Sequence, residues 1–124
     1  KAELPSEIDR AWETLQGASK LAYGLIKPGV IGKNVHEAVI NYLADKGFEG
    51  KMGHGLGHGL GLEVHENPCL SPKFDKPLPQ NSCVTVEPGL YFPGKFGLRL
   101  EVFGQVTPEG FNIFTNSSFK LHFI

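Results

Sequence analysis

Five glycines alternate with larger side chains between Gly53 and Gly61, and His54 and His58 are two of those side chains. The run continues through Leu62-Glu63-Val64-His65-Glu66-Asn67-Pro68, which adds a third imidazole. Each glycine in a helix interior costs about 0.8–1.0 kcal/mol relative to alanine. A helix is therefore excluded, although His54 and His58 stand at the i, i+4 spacing of helical metal ligands. In an extended segment His54, Leu56, His58 and Leu60 share one face, with bare glycine backbone on the other. At roughly 3.3 Å per residue the His54 and His58 rings would lie about 13 Å apart, so separate roles are expected unless the chain bends. Glycine admits close approach of backbone or ligand, and histidine binds metal or moves protons near neutral pH. The competing reading is a glycine-rich strand under a packed helix, with its histidines as ordinary polar contacts. Three imidazoles in so costly a stretch favour a site.

The totals narrow the classes. A chain of 124 residues, 40% of them apolar, suits a single domain spanning residues 1–124 with a modest core. A formal net charge of −1 without a basic stripe argues against nucleic acid. No apolar run approaches the roughly 20 residues that span a bilayer, and Lys1-Ala2-Glu3-Leu4-Pro5 is not a secretory signal. Cys69 and Cys83, without CxxC spacing, suggest a reducing cytoplasm. A first residue of lysine is the expectation for a piece of a longer polypeptide.

Residues 6–27 read as an amphipathic helix. Ser6 and Asp9 form a capping arrangement, Ile8, Trp12, Leu15, Leu21, Ala22 and Ile26 give the apolar face, and Lys27-Pro28-Gly29 stops it. A second helix is expected from Asn34 as cap to Lys46, with Val35, Ala38, Val39, Tyr42 and Leu43 inward and Gly47 ending it. The remainder reads as strands: Cys83–Val86, Leu98–Val102, then Gln105–Thr107 and Phe111–Phe114 around a Pro108-Glu109-Gly110 turn. Helices first and strands second make the fold class α+β.

A turn at Pro93-Gly94-Lys95 would fold residues 84–101 into an antiparallel pair. With Gly94 as the symmetry point, Glu87 and Glu101 face each other, at a Cβ separation of about 4.5–5.5 Å where like charges repel. Both are expected to be partly buried, so they need a cation, a shared proton or a basic partner. Arg99, on the same face as Glu101, offers an ordinary salt bridge as the alternative. With His58 added, one imidazole and two carboxylates suit a hard or borderline divalent ion such as Mn, Co, Zn or Fe.

These residues resemble a known family. His54-x-x-x-His58-Gly59-x-Gly61, His65-Glu66-x-Pro68, Glu87-Pro88-Gly89-x-Tyr91 and Gly97-x-Arg99-x-Glu101 are similar to the motifs of the pita-bread metallopeptidases, the group of prolidase, aminopeptidase P and methionine aminopeptidase. The resemblance covers roughly residues 20–115, and Tyr91 with Arg99-x-Glu101 resembles the Xaa-Pro branch more than the methionine branch. It implies the C-terminal half of a pita-bread fold, two helices packed on a curved antiparallel sheet. It also implies His58, Glu87 and Glu101 as metal ligands, with Glu101 bridging two ions of Mn, Co or Zn. Glu87 would in addition act as acid/base, His65 would stabilise the scissile carbonyl, His54 would contact substrate near the proline, and Tyr91 and Arg99 would support the site. The family's two aspartate ligands have no counterpart here: Asp9, Asp45 and Asp75 lie in other contexts.

The function so implied is hydrolysis of the bond preceding proline, in small peptides with proline second, by a cytoplasmic homodimeric parent; the isolated chain is expected to be inactive. The alternatives are a non-catalytic peptide- or protein-binding module of the same fold and a metal-free hydrolase such as creatinase.

Overall fold

The first helix is built on small residues. In the computed structural model, which describes residues 5–121, α1 (Ser6–Leu25) turns Ala11, Leu15, Ala18 and Ala22 fully into the core. These positions repeat at helical spacing, and the alanines let α2 (Gly32–Asp45) approach closely enough for Tyr42 to lie over Gly17. The stripe differs from the expected one: Ala11 and Ala18 carry the contact, while Ile8 and Leu21 are half-buried. The caps differ too. Pro5 and Ile31 occupy the N-cap positions, neither helix has a side-chain cap hydrogen bond, and α2 begins before Asn34. Proline and isoleucine bring extended backbone into each helix, and that geometry sets the start without a capping oxygen.

The end of α2 follows expectation. Gly47 has φ +89, its N–H donates to the Ala44 carbonyl, and the Phe48 N–H donates to Leu43 at 2.8 Å. That double bond is a Schellman close, which glycine allows because it has no Cβ. It also turns Phe48 back into the core, where it is 5% exposed.

Seven strands follow: β1 (Gly57–Gly59), β2 (Glu66–Leu70), β3 (Cys83–Val86), β4 (Gly89–Phe92), β5 (Phe96–Arg99), β6 (Val102–Thr107) and β7 (Gly110–Ile113). Five of them form an antiparallel sheet in the order β2-β1-β3-β6-β7, and β4 with β5 forms a two-stranded ribbon. One register runs through both. Cys83↔Gln105, Val86↔Val102, Gly89↔Arg99 and Phe92↔Phe96 are all symmetric about Gly94, as the turn chemistry predicts. Val84, Val86, Val102 and Val106 point into the core shared with both helices, so the opposite sheet face is free for chemistry. No helix among the described residues is long and apolar enough to cross a membrane.

Strand β1 lies between two backbones. A Cβ on Gly57 would overlap the Thr85 carbonyl oxygen, and one on Gly59 would lie 2.5 Å from the Glu66 carbonyl oxygen. Neither obstacle is a flexible side chain. Gly57→Ala should therefore destabilise by about 3 kcal/mol, the upper end of the usual range for overpacking, because the obstacle is backbone. Gly24→Ala in α1, where a methyl meets nothing within 4 Å, should be neutral or stabilise by about 0.5 kcal/mol. Urea unfolding of the two variants checks both signs.

Candidate active site

The short length of β1 decides where the histidines go. Regular pairing covers only Gly57–Gly59, with an irregular register against β2, and residues 51–56 are not strand. Leu56 turns into the core at 0% exposure while His58 faces the open side of the sheet, so the single-face arrangement of His54, Leu56, His58 and Leu60 is not what forms. The bend places the two imidazoles in separate hydrogen-bonded pairs.

His58 meets Glu87. Its Nε2 lies 3.1 Å from Glu87 Oε1, with both side chains largely buried at 17% and 12% exposure. Thr85 joins them: its Oγ1 accepts the His58 backbone N–H at 3.0 Å and donates to Glu87 Oε1 at 3.2 Å. The other ring nitrogen, Nδ1, is 3.0 Å from the Gly59 carbonyl. A carbonyl can only accept, so Nδ1 carries a proton. Nε2 then confronts a carboxylate oxygen, and two lone pairs at that distance need a proton or a cation between them.

His54 meets Tyr91. Its Nδ1 donates to the Gly55 carbonyl at 2.7 Å, leaving Nε2 to accept from the Tyr91 hydroxyl at 3.0 Å. The rings stand edge-on at 5.5 Å, and the Tyr91 ring reaches across Gly89.

The remaining candidates are more open. His65 is exposed, yet its ring stacks at an angle 4.3 Å from that of His58. Arg99 points to Glu87, with Nη1 3.9 Å from Oε2, rather than forming the salt bridge with Glu101 that its position suggested. At 52% exposure this is a long, solvent-screened pair of small energetic weight. Glu101 falls opposite Glu87 in the continuous register but is exposed, without an ion-pair partner among the described residues. The partial burial expected of it is not found, because nothing in residues 5–121 covers that part of the open face. No group of three or more His, Cys, Asp or Glu among the described residues is gathered closely enough to hold a metal ion.

Two residues of the neighbourhood escaped the sequence reading. Thr85 is 2% exposed and its signal was a hydroxyl at a buried strand position, two residues before Glu87. His36 is 7% exposed on α2, and its Nδ1 accepts the Leu56 N–H at 3.2 Å. Its signal was a polar residue beside the inward stripe Val35, Val39, Leu43.

The comparisons with known proteins bear on this geometry. Residues 3–108 match the model of metallopeptidase family M24. The chain belongs to that family. It is 36% identical over 119 residues to an Xaa-Pro dipeptidase of Lactobacillus delbrueckii subsp. lactis, covering 96% of the chain and 32% of the relative. Among solved structures, an X-Pro aminopeptidase of Thermotoga maritima matches with TM-score 0.91 and 38% identity over 96% of this chain and 34% of that one. An Xaa-Pro dipeptidase of Bacillus anthracis matches with TM-score 0.92 and 35% identity, covering 97% and 34% respectively. The α+β pita-bread architecture is thus shared, and the chain spans about a third of the length of these relatives. The N-terminal domain of a FACT complex subunit from chickpea, 18% identical with TM-score 0.79, shares the fold.

Thr85 joins β1 to Glu87 by two hydrogen bonds at a buried position. Thr85→Val keeps the shape but leaves the His58 amide without its acceptor, and should cost about 2 kcal/mol in urea unfolding. Thr85→Ser, which keeps the hydroxyl, should lose less than half as much.

Proposed function

We propose that this chain forms part of the catalytic domain of a divalent-metal-dependent peptidase that hydrolyses the bond preceding proline. The observation that carries the reading is His58 Nε2 facing Glu87 Oε1 at 3.1 Å while Nδ1 is committed to the Gly59 carbonyl. One imidazole nitrogen and one carboxylate are a donor pair suited to Mn, Co or Zn. Two donors do not complete a coordination shell, so Glu101 and the two aspartates expected of the rest of the parent are proposed to supply the remainder, for two ions. A bound ion would polarise the scissile carbonyl and acidify a water molecule.

The chain's own groups would then divide the work. Glu87 is oriented by Thr85 and approached by Arg99, and would take the proton of the attacking water and return it to the leaving nitrogen. His65, open to solvent beside His58, would donate a hydrogen bond to the oxyanion of the tetrahedral intermediate. His54, with its tautomer set by Gly55 and Tyr91, would contact substrate on the proline side. The substrates proposed are small peptides with proline second, and the parent is proposed to be cytoplasmic and homodimeric. Support comes from the four motifs, the Xaa-Pro relatives and the His58–Glu87 pairing.

The full-length parent should cleave an Xaa-Pro dipeptide or an N-terminal Xaa-Pro peptide when Mn or Co is supplied, and chelation should abolish turnover until metal is restored. His58→Ala and Glu87→Ala should each lower kcat by roughly 10²–10⁴-fold; wild-type rates in either variant would refute the roles given. The 124-residue chain by itself should show no turnover of the same substrates, since metal affinity follows ligand number and geometry.

A further inference from the structure

His36 has no part in the chemistry above, yet it holds the segment on which that chemistry depends. Leu56 lies midway between His54 and His58, and both its backbone groups are engaged. Its N–H donates to His36 Nδ1 at 3.2 Å, and its carbonyl accepts the Glu87 N–H at 2.7 Å. One residue, through the two peptide groups that flank it, thus ties α2 to the histidine segment and the histidine segment to Glu87. The Leu56 side chain is 0% exposed, so no solvent route replaces the amide's acceptor.

We propose that neutral His36 is the positioning residue of this site, an acceptor on α2 that fixes the Leu56 peptide and through it the alignment of His54 and His58 with Glu87. An acceptor at Nδ1 exists only while the ring is neutral; the imidazolium would turn an N–H toward the Leu56 N–H. The clamp is therefore a device that opens with acid. Its surroundings resist that opening: burial holds the imidazole below its usual range, and His54 adds to this, while Glu37 on the same helix opposes it. Lys73, from the segment after β2, lines the same cavity as His36 and His54.

The sign follows from proton linkage. With the native pKa below the ordinary imidazole value of 6.5, the unfolded chain binds more protons in the interval between them. The clamp's contribution is complete above that interval and is lost as pH falls through it.

The test is amide hydrogen exchange of Leu56, read by NMR in the 124-residue chain from pH 8 to pH 5 and corrected for intrinsic exchange at each pH. Wild-type protection should fall about tenfold on acidification, the weight of one buried hydrogen bond. His36→Asn places an amide oxygen where Nδ1 stood and should keep the protection without the acid step. His36→Leu should lose about tenfold at every pH. An acid step in His36→Asn equal to that of wild type, or full protection in His36→Leu, overturns the clamp. Wild type against His36→Asn decides the matter even where His36→Leu does not fold. The effect on turnover rests on the peptidase reading: in the parent, His36→Asn should move the acid limb of kcat/KM, and an unchanged limb overturns the positioning role. The amide measurement is independent of whether the parent turns over Xaa-Pro peptides, so failure of one reading is distinguishable from failure of the other.

Discussion

Everything at this site depends on how closely three strands approach at β1. Gly57 and Gly59 present no Cβ, so the backbones of Thr85 and Glu66 come within distances that any side chain would forbid. That approach puts the His58 N–H on the Thr85 hydroxyl and the His58 ring on the Glu87 carboxylate. The glycines cost conformational entropy in the unfolded chain, and the fold offsets it by burying β1 between β2 and β3 over a shared apolar core. A costly local sequence is thus kept where backbone proximity serves a functional geometry.

The electrostatics follow from that geometry. Once Nδ1 is committed to Gly59, the His58 ring has one free nitrogen, and it confronts a carboxylate already accepting from Thr85. Such a pair is an unfinished arrangement that a cation or a second proton completes. Arg99, at 3.9 Å from the other carboxylate oxygen and half exposed, is too distant and too screened to complete it.

What the sequence disclosed and what it hid have physical causes. The hairpin register was legible because Pro93-Gly94-Lys95 permits one tight turn, and a turn fixes every pair along both strands, from Phe92↔Phe96 back to Cys83↔Gln105. The end of α2 was legible because Gly47 followed by an apolar residue is a local signal. The start of α1 at residue 6 was legible, but its cap and the start of α2 were not, since Pro5 and Ile31 act through backbone direction rather than a side-chain oxygen. Alternation along the glycine run misplaced Leu56 because strand pairing stops at Gly57, and tertiary contacts to His36 and Glu87 set the backbone before it. The mutual placement of Glu87 and Glu101 followed from register, but burial depends on what covers a face, and register carries no information about that.

Fold and function are separable here. A chain 18% identical shares the architecture at TM-score 0.79, and a shared fold does not by itself fix a function. The polar groups of this chain that stand apart from its core lie on the open face of the sheet. On the core side Val84, Val86, Val102 and Val106 pack beneath the helices, whereas the open side has His58, Thr85 and Glu87 linked through hydrogen bonds that add no apolar burial. A largely buried carboxylate facing an imidazole nitrogen needs a proton or a cation between them, a requirement that packing alone does not impose. This polar row stands on a hydrophobic side that supplies the rigidity keeping its distances short.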